Sequence, residues 1–369
     1  MEAVFKANRF STRARIGRCG PVGVFLALAL SASLPASANC KLIRIAELPV
    51  TMRGNRPLIE VAINGEKAKA LVNTGAVGSV VWRSEAVRLH LPLVDFSNMK
   101  MYGVGGETRV QLATIHQFTL QGATVTNLRL PAAGEHPASA DGGSVILGED
   151  FWSHYTVEFD LGHGMLRLYR TDGCKDEPLA YWSNTYSVAA LEKRVDISNR
   201  IEAQVSLNGV EVTALLDTGA WHSAVTNAAA AKAGITPKDE GVRAAGSLHG
   251  FGAGAREAWV GTFPSFAIGD ERIQNAQLYI ADLFRGAARE ELGSRIAVKM
   301  FDADMLLGAD FFQSHRVMVV PDRRRIEFTY NGGPVFRTPP PGEPADGAID
   351  RLPQEAQPNP AADGAPAPH

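Results

Sequence analysis

Cysteine is scarce in this chain: 3 residues among 369. No Cys/His cluster falls at the spacing of a zinc site, and no Ser, His and Asp share a supporting motif. The residues therefore call for no metal and no cofactor. An excess of positive charge is also lacking. There are 37 Lys and Arg against 39 Asp and Glu, for a formal charge of −2, so nothing marks a nucleic-acid footprint. Long apolar runs are missing as well. The stretch Val22–Leu34 falls short of the roughly 20 residues a membrane helix needs. Helical periodicity is scant, which points to an all-β chain.

What the N-terminus does have is the pattern of an export signal. Lys6, Arg9, Arg13, Arg15 and Arg18 precede the apolar stretch, and Ala36-Ser37-Ala38 offers a cleavage site. Residues 1–38 are read as a signal peptide, the alternative being a short membrane anchor. Lipidation at Cys40 is disfavoured by Asn39. The mature protein is expected in the periplasm or outside the cell, with no stable membrane span. Cys19 leaves with the signal, so only Cys40 and Cys174 remain. An oxidising compartment predicts a disulfide between them, the alternative being two unrelated thiols. Residues 39–56 form an N-terminal extension. The Pro/Ala-rich tail, 333–369, has no periodic apolar pattern and is expected to be disordered.

Between these ends the chain repeats itself. Leu71-Val72-Asn73-Thr74-Gly75-Ala76 is matched by Leu215-Leu216-Asp217-Thr218-Gly219-Ala220. Each is preceded at the same distance by an Asn-Gly pair, Asn64-Gly65 and Asn208-Gly209, a strong signal for a tight hairpin. Each is followed by a serine, Ser79 and Ser223. Next come glycine-rich tips, Tyr102-Gly103-Val104-Gly105-Gly106 and His249-Gly250-Phe251-Gly252, read as the ends of long flexible hairpins. Each repeat closes on a Leu-Gly-x-Asp-Phe element, Leu147–Phe151 and Leu307–Phe311, then a strand pair. Short helices are expected over Ser84–Leu89 and Asn227–Ala233, and after Asp150 and Asp310. The repeats span 57–171 and 200–332, about 115–130 residues each, a reasonable size for one lobe. The linker 172–199 holds Tyr181, Trp182 and Tyr186 and is expected to pack.

The Asp-Thr-Gly-Ala loop, the Gly-rich hairpin and the closing Leu-Gly element, in that order and in two copies, resemble the retropepsin and pepsin aspartic peptidases. The resemblance covers about residues 57–332. It implies a bilobal acid-protease fold: two retropepsin-like β-barrel lobes related by a pseudo-two-fold axis, with a peptide or protein substrate held between them. One chain carries both lobes, so a monomer is expected. The resemblance assigns catalysis to Asp217 and, in the first lobe, to position 73. Thr74, Gly75, Thr218 and Gly219 would brace the two loops. Tyr102, Gly103, Gly105 and Gly106 in one flap, and His249, Gly250 and Gly252 in the other, would cover the substrate.

Such a site shares one proton between two carboxylates. Here Asn73 stands in place of one aspartate. An amide keeps the shape of a protonated carboxyl and donates through its NH₂, but it cannot ionise. Asp217, freed of a like-charged neighbour, is expected to have an ordinary or lowered pKa. Three readings follow: an exported endopeptidase with an altered pair, cutting best at acid pH; a pseudopeptidase that binds extended peptides without cutting; and a dimer in which two Asp217 loops meet. His222 is read as a solvated turn residue, the matched His154 and His315 as structural, and Asp150 and Asp310 as turn or cap residues.

Overall fold

The computed structural model describes residues 40–134, 143–174, 177–192, 200–251, 254–284, 303–336 and 338. The proposed signal peptide, and all but the first few residues of the tail, lie outside this set.

The first repeat begins with the hairpin Arg56–Ile63 and Glu66–Val72. Asn64 and Gly65 turn it with φ of 52° and 83°, the positive values that favour Asn-Gly there. In the second repeat Glu202–Leu207 and Val210–Leu216 are joined by Asn208 and Gly209 with φ of 51° and 83°. Each hairpin's second strand then pairs in parallel with the apolar strand of the closing element. Ala70, Leu71 and Val72 face Val145, Ile146 and Leu147, and Ala214, Leu215 and Leu216 face Met305, Leu306 and Leu307. These strands are buried on both faces and so read as continuous apolar runs.

The strand after each loop, Val80–Trp82 or Ala224–Thr226, lies antiparallel on the other side of the closing strand. The loop bearing Asn73 or Asp217 is thereby pinned at both ends. In the second repeat the sheet closes on itself where Val205 pairs with Ile268; in the first, Ile63 pairs with Phe118. The result is an all-β molecule of two barrel-like lobes. Helices are short: Arg83–Arg88, Glu149–Trp152, Asn227–Lys232 and Ala309–Ser314. Thr226 caps the third by accepting from the Ala229 amide.

A six-stranded sheet joins the lobes. Its order is Ser187–Ala190, Arg325–Tyr330, His315–Val320, Thr156–Asp160, Met165–Asp172 and Lys41–Arg53. The lobes meet where Phe159 pairs with Val317 and Val157 with Val319. The outer strands come from the linker and from the N-terminal extension, whose residues Lys41–Arg53 form a 13-residue strand. Above the junction, fully buried Phe159 and Phe312 pack edge to face at 5.3 Å. Each such ring contributes about 1.5–3 kcal/mol by leaving water. One continuous core consequently runs through both lobes.

Polar groups satisfy one another along the same seam. Glu158, fully buried, accepts from Arg167 at 2.5 Å and from Arg316 of the other lobe at 2.6 Å. The Tyr169 and Tyr181 hydroxyls complete its shell at 3.0 and 2.8 Å. Cys40 and Cys174 form a disulfide beside Trp182 and Leu179, tying the start of the N-terminal strand to the end of the first lobe. Beyond the second lobe, Phe336 packs against Phe266 at 5.1 Å.

Candidate active site

The two loops face each other and interlock. The Thr74 hydroxyl donates to the Leu216 carbonyl at 2.7 Å, and the Thr218 hydroxyl to the Val72 carbonyl at 2.8 Å. Each hydroxyl also accepts from the other threonine's backbone amide, at 3.0 and 3.1 Å. Both side chains are fully buried. Four bonds thus cross between loops 144 residues apart in sequence, and they are symmetric in pairs.

The glycines explain how closely the loops approach. A side chain at Gly75 would collide with the Asp217 carboxyl group, and one at Gly219 with the Asn73 amide. Glycine at these positions is a requirement of close packing. Asn73 and Asp217 therefore lie on either side of a single interface. Each hydrogen-bonds within its own loop. Asn73 Oδ1 accepts from the Gly75 and Ala76 amides at 2.8 and 3.0 Å. Asp217 Oδ1 accepts from Gly219 and Ala220 at 2.8 and 3.2 Å. With Oδ1 of Asn73 fixed by two donors, its Nδ2 is the atom turned toward Gly219.

A second symmetric set holds each loop from below. The Ser79 hydroxyl donates to Asp150 at 2.7 Å and accepts from the Gly148 amide at 3.1 Å. Ser223 bonds Asp310 at 2.7 Å and Gly308 at 2.9 Å in the same way. Burial pushes the Asp310 pKa up, but its oxygens are occupied by the Ser223 amide and hydroxyl. These aspartates position the loops. The sequence shows the serines and the aspartates at matched distances in both repeats, but it suggests only turn or cap roles for the aspartates. The bonds to Ser79 and Ser223 come from the structure.

Asp217 departs from expectation. Burial pushes its pKa up to about 6, outweighing the Gly219, Ala220 and Gly75 amides that favour the charged form. Loss of the neighbouring charge removes one reason for a raised pKa. It does not remove desolvation, because the facing loops still leave the carboxyl only partly open to water.

Seen against its expected roles, the first flap is the hairpin Leu93–Gly103 and Gly106–Leu120, with Gly106 at φ +97°. Tyr102 sits in its first strand, and its hydroxyl reaches Glu107 of the second at 3.3 Å. The second flap is Arg243–His249 with Ala255–Ile268. His249 and Gly250 are exposed, and Gly252 lies outside the described residues. The tips touch: the Gly105 amide donates to the Phe251 carbonyl at 2.9 Å, and the Gly254 amide to the Gly105 carbonyl at 2.7 Å. A side chain at Gly103 would collide with Phe251, and one at Gly250 with Val104.

The bilobal fold, the facing loops and the two flaps agree with a family match. The chain matches the aspartyl protease family over residues 59–151 and again over 203–311, more than half its length in two copies. The chain belongs to the aspartyl protease family. Each matched segment runs from the first hairpin to the closing element, so both copies of the family's unit are present in this aspartyl protease chain. Among curated proteins nothing matches.

Further contacts lay beyond sequence reasoning. The turn of the N-terminal hairpin reaches the second loop: Asn55 Nδ2 donates to the Trp221 carbonyl at 2.6 Å, and Arg56 lies 4.5 Å over the Trp221 ring. The first loop has Val77 there, 46% exposed. His222 is not a solvated turn residue. It is partly buried against Tyr279, with ring centroids 5.0 Å apart, and it favours the charged form of Asp310. The matched histidines have different fates: His154 is exposed, whereas His315 is fully buried between Glu271 and the Phe311 carbonyl. Among the described residues no group of three or more His, Cys, Asp or Glu is arranged to hold a metal ion, and no helix is long and apolar enough to cross a membrane.

Proposed function

We propose that this chain is an exported aspartic endopeptidase in which Asp217 works as a single general base and Asn73 holds the scissile carbonyl. The observation that carries this reading is the facing of Asn73 and Asp217 across loops braced by Thr74 and Thr218. An ionised Asp217 takes a proton from a water placed between it and the peptide. The water oxygen bonds the carbonyl carbon while Asn73 Nδ2–H donates to the carbonyl oxygen. Asp217 then returns the proton to the amide nitrogen as the C–N bond breaks. Position 73, an asparagine, supplies no carboxyl to share this work, and one general acid–base term is typically worth about 10²–10⁴-fold, so turnover is slow.

The pH dependence then differs from the acid optimum that the sequence leads us to expect of the altered pair. A base with a pKa near 6 is ionised at neutral pH, so the rate rises with pH through that value. Export is supported by the basic and apolar pattern of residues 1–38, and the disulfide suits an oxidising compartment. Digestion of an unstructured peptide library tests the reading. Wild type is expected to cut and Asp217→Asn to lose at least about a hundredfold of the rate. Equal rates for the two proteins would overturn it.

Asn73 and the touching flap tips favour a second reading, a pseudopeptidase that takes extended peptides into the cleft by strand addition. Peptide binding by a wild type that cuts nothing, retained in Asp217→Asn, would select it.

A further inference from the structure

The flap tips do more than meet; each packs a partly buried side chain against the other lobe's apolar residues. Phe251, from the second lobe, packs into an apolar cluster of the first that includes Val80, Val110, Ala133, Ile146 and Met101. Its ring lies 5.4 Å from that of Trp82. Val104, from the first lobe, joins the second lobe's cluster around Ala224, Ala258 and Tyr279. Each cluster also includes the alanine that ends a facing loop, Ala76 in the first and Ala220 in the second. The amides of those alanines donate to Asn73 and Asp217. Both clusters therefore adjoin the place where a scissile bond would lie, and both are occupied by the protein's own side chains.

We propose that Phe251 is a built-in ligand of the first lobe's cluster, that an extended peptide must displace it, and that the vacated space selects an aromatic side chain. This inference rests on a peptide entering between the lobes, as proposed above. A space filled by a phenyl ring loses packing when a small side chain takes its place, whereas a peptide phenylalanine regains it. The second lobe's cluster holds a valine, so the two sides of the bond should differ, with an aromatic at the first lobe and a branched aliphatic at the second. An internal ligand also competes at a high effective concentration, because it is tethered next to its space. Removing the Phe251 ring should tighten binding of the peptide that best replaces it.

The test uses the full chain carrying Asp217→Asn, so that no cleavage intervenes, and two dye-labelled octapeptides identical but for one position, Phe or Ala. Binding is read by fluorescence anisotropy with and without Phe251→Ala. The expected result is about tenfold tighter binding of the Phe peptide and less than twofold change for the Ala peptide. An equal gain for both, no gain, or weaker binding of the Phe peptide overturns the proposal. Phe251→Leu, which leaves part of the space filled, should give an intermediate gain, and it carries the test if the alanine variant does not melt cooperatively. Cleavage by the Asp217 protein is measured separately. Selective binding without cleavage would remove the endopeptidase reading and leave this one standing. Cleavage without the selective gain would do the reverse.

Discussion

In the proposed mechanism two side chains carry the chemistry, and Asn73 is the one that keeps the pair from behaving as two carboxylates. Asn73 presents Nδ2 because Gly75 and Ala76 hold its Oδ1, so at this site the amide is a donor only. Asp217 keeps a proton up to about pH 6 because its loop is desolvated. That shift ties stability to pH. In the unfolded chain the carboxyl titrates near 3.8, so the folded state holds the proton more tightly. Stability attributable to this group is fully present below about pH 4 and is lost as pH rises toward 6. The charged carboxylate then costs the folded state at most about 3 kcal/mol, less where solvent still screens it. Asp217→Asn is therefore expected to be more stable than wild type at pH 8, by about 1–3 kcal/mol in urea unfolding, and nearly equal to it at pH 3.5. A variant less stable than wild type at pH 8 would show that burial does not govern this carboxyl.

At the scale of elements, the loops are rigid because their bonds cross between lobes. Thr218→Val keeps the shape of the side chain and removes its hydroxyl. The Val72 carbonyl loses its donor and the Thr74 amide its acceptor, both within a fully buried site. Two orphaned buried groups cost about 2–4 kcal/mol. Thr218→Ser keeps both bonds and should lose only about 1 kcal/mol. Denaturant unfolding of the two variants checks the order; equal losses would mean that the methyl group, and not the bridge, matters. Much of this scale was legible in the sequence. Asn64-Gly65 and Asn208-Gly209 announced hairpins, Gly75 and Gly219 a close approach, and the matched Leu-Gly segments a common closing strand. The strand Lys41–Arg53 was not legible. It serves two sheets, with a bulge between Arg44 and Ala46, so its side chains follow no single alternation. Nor was the Asn55 contact with Trp221, because a bond 166 residues long depends on how the lobes close.

For the whole molecule, the second lobe is bound to the first by a shared sheet, a shared core and the Arg316–Glu158 pair, while the exchanged flap tips close the opposite side. Sequence repetition implied two facing half-sites. It could not reveal the distance between them, and both the raised pKa of Asp217 and the seating of Phe251 in the other lobe follow from that distance. The same closeness makes the function testable as a single titration. The decisive measurement is kcat/KM for one cleaved peptide from pH 3.5 to 8.5, for wild type and for Asn73→Asp. A lone base predicts that wild type rises through one transition near pH 6 and then levels. Restoring a carboxylate pair predicts a bell with its maximum at acid pH and a higher peak rate. A wild-type profile already bell-shaped and acidic, unchanged in form by Asn73→Asp, would contradict the account.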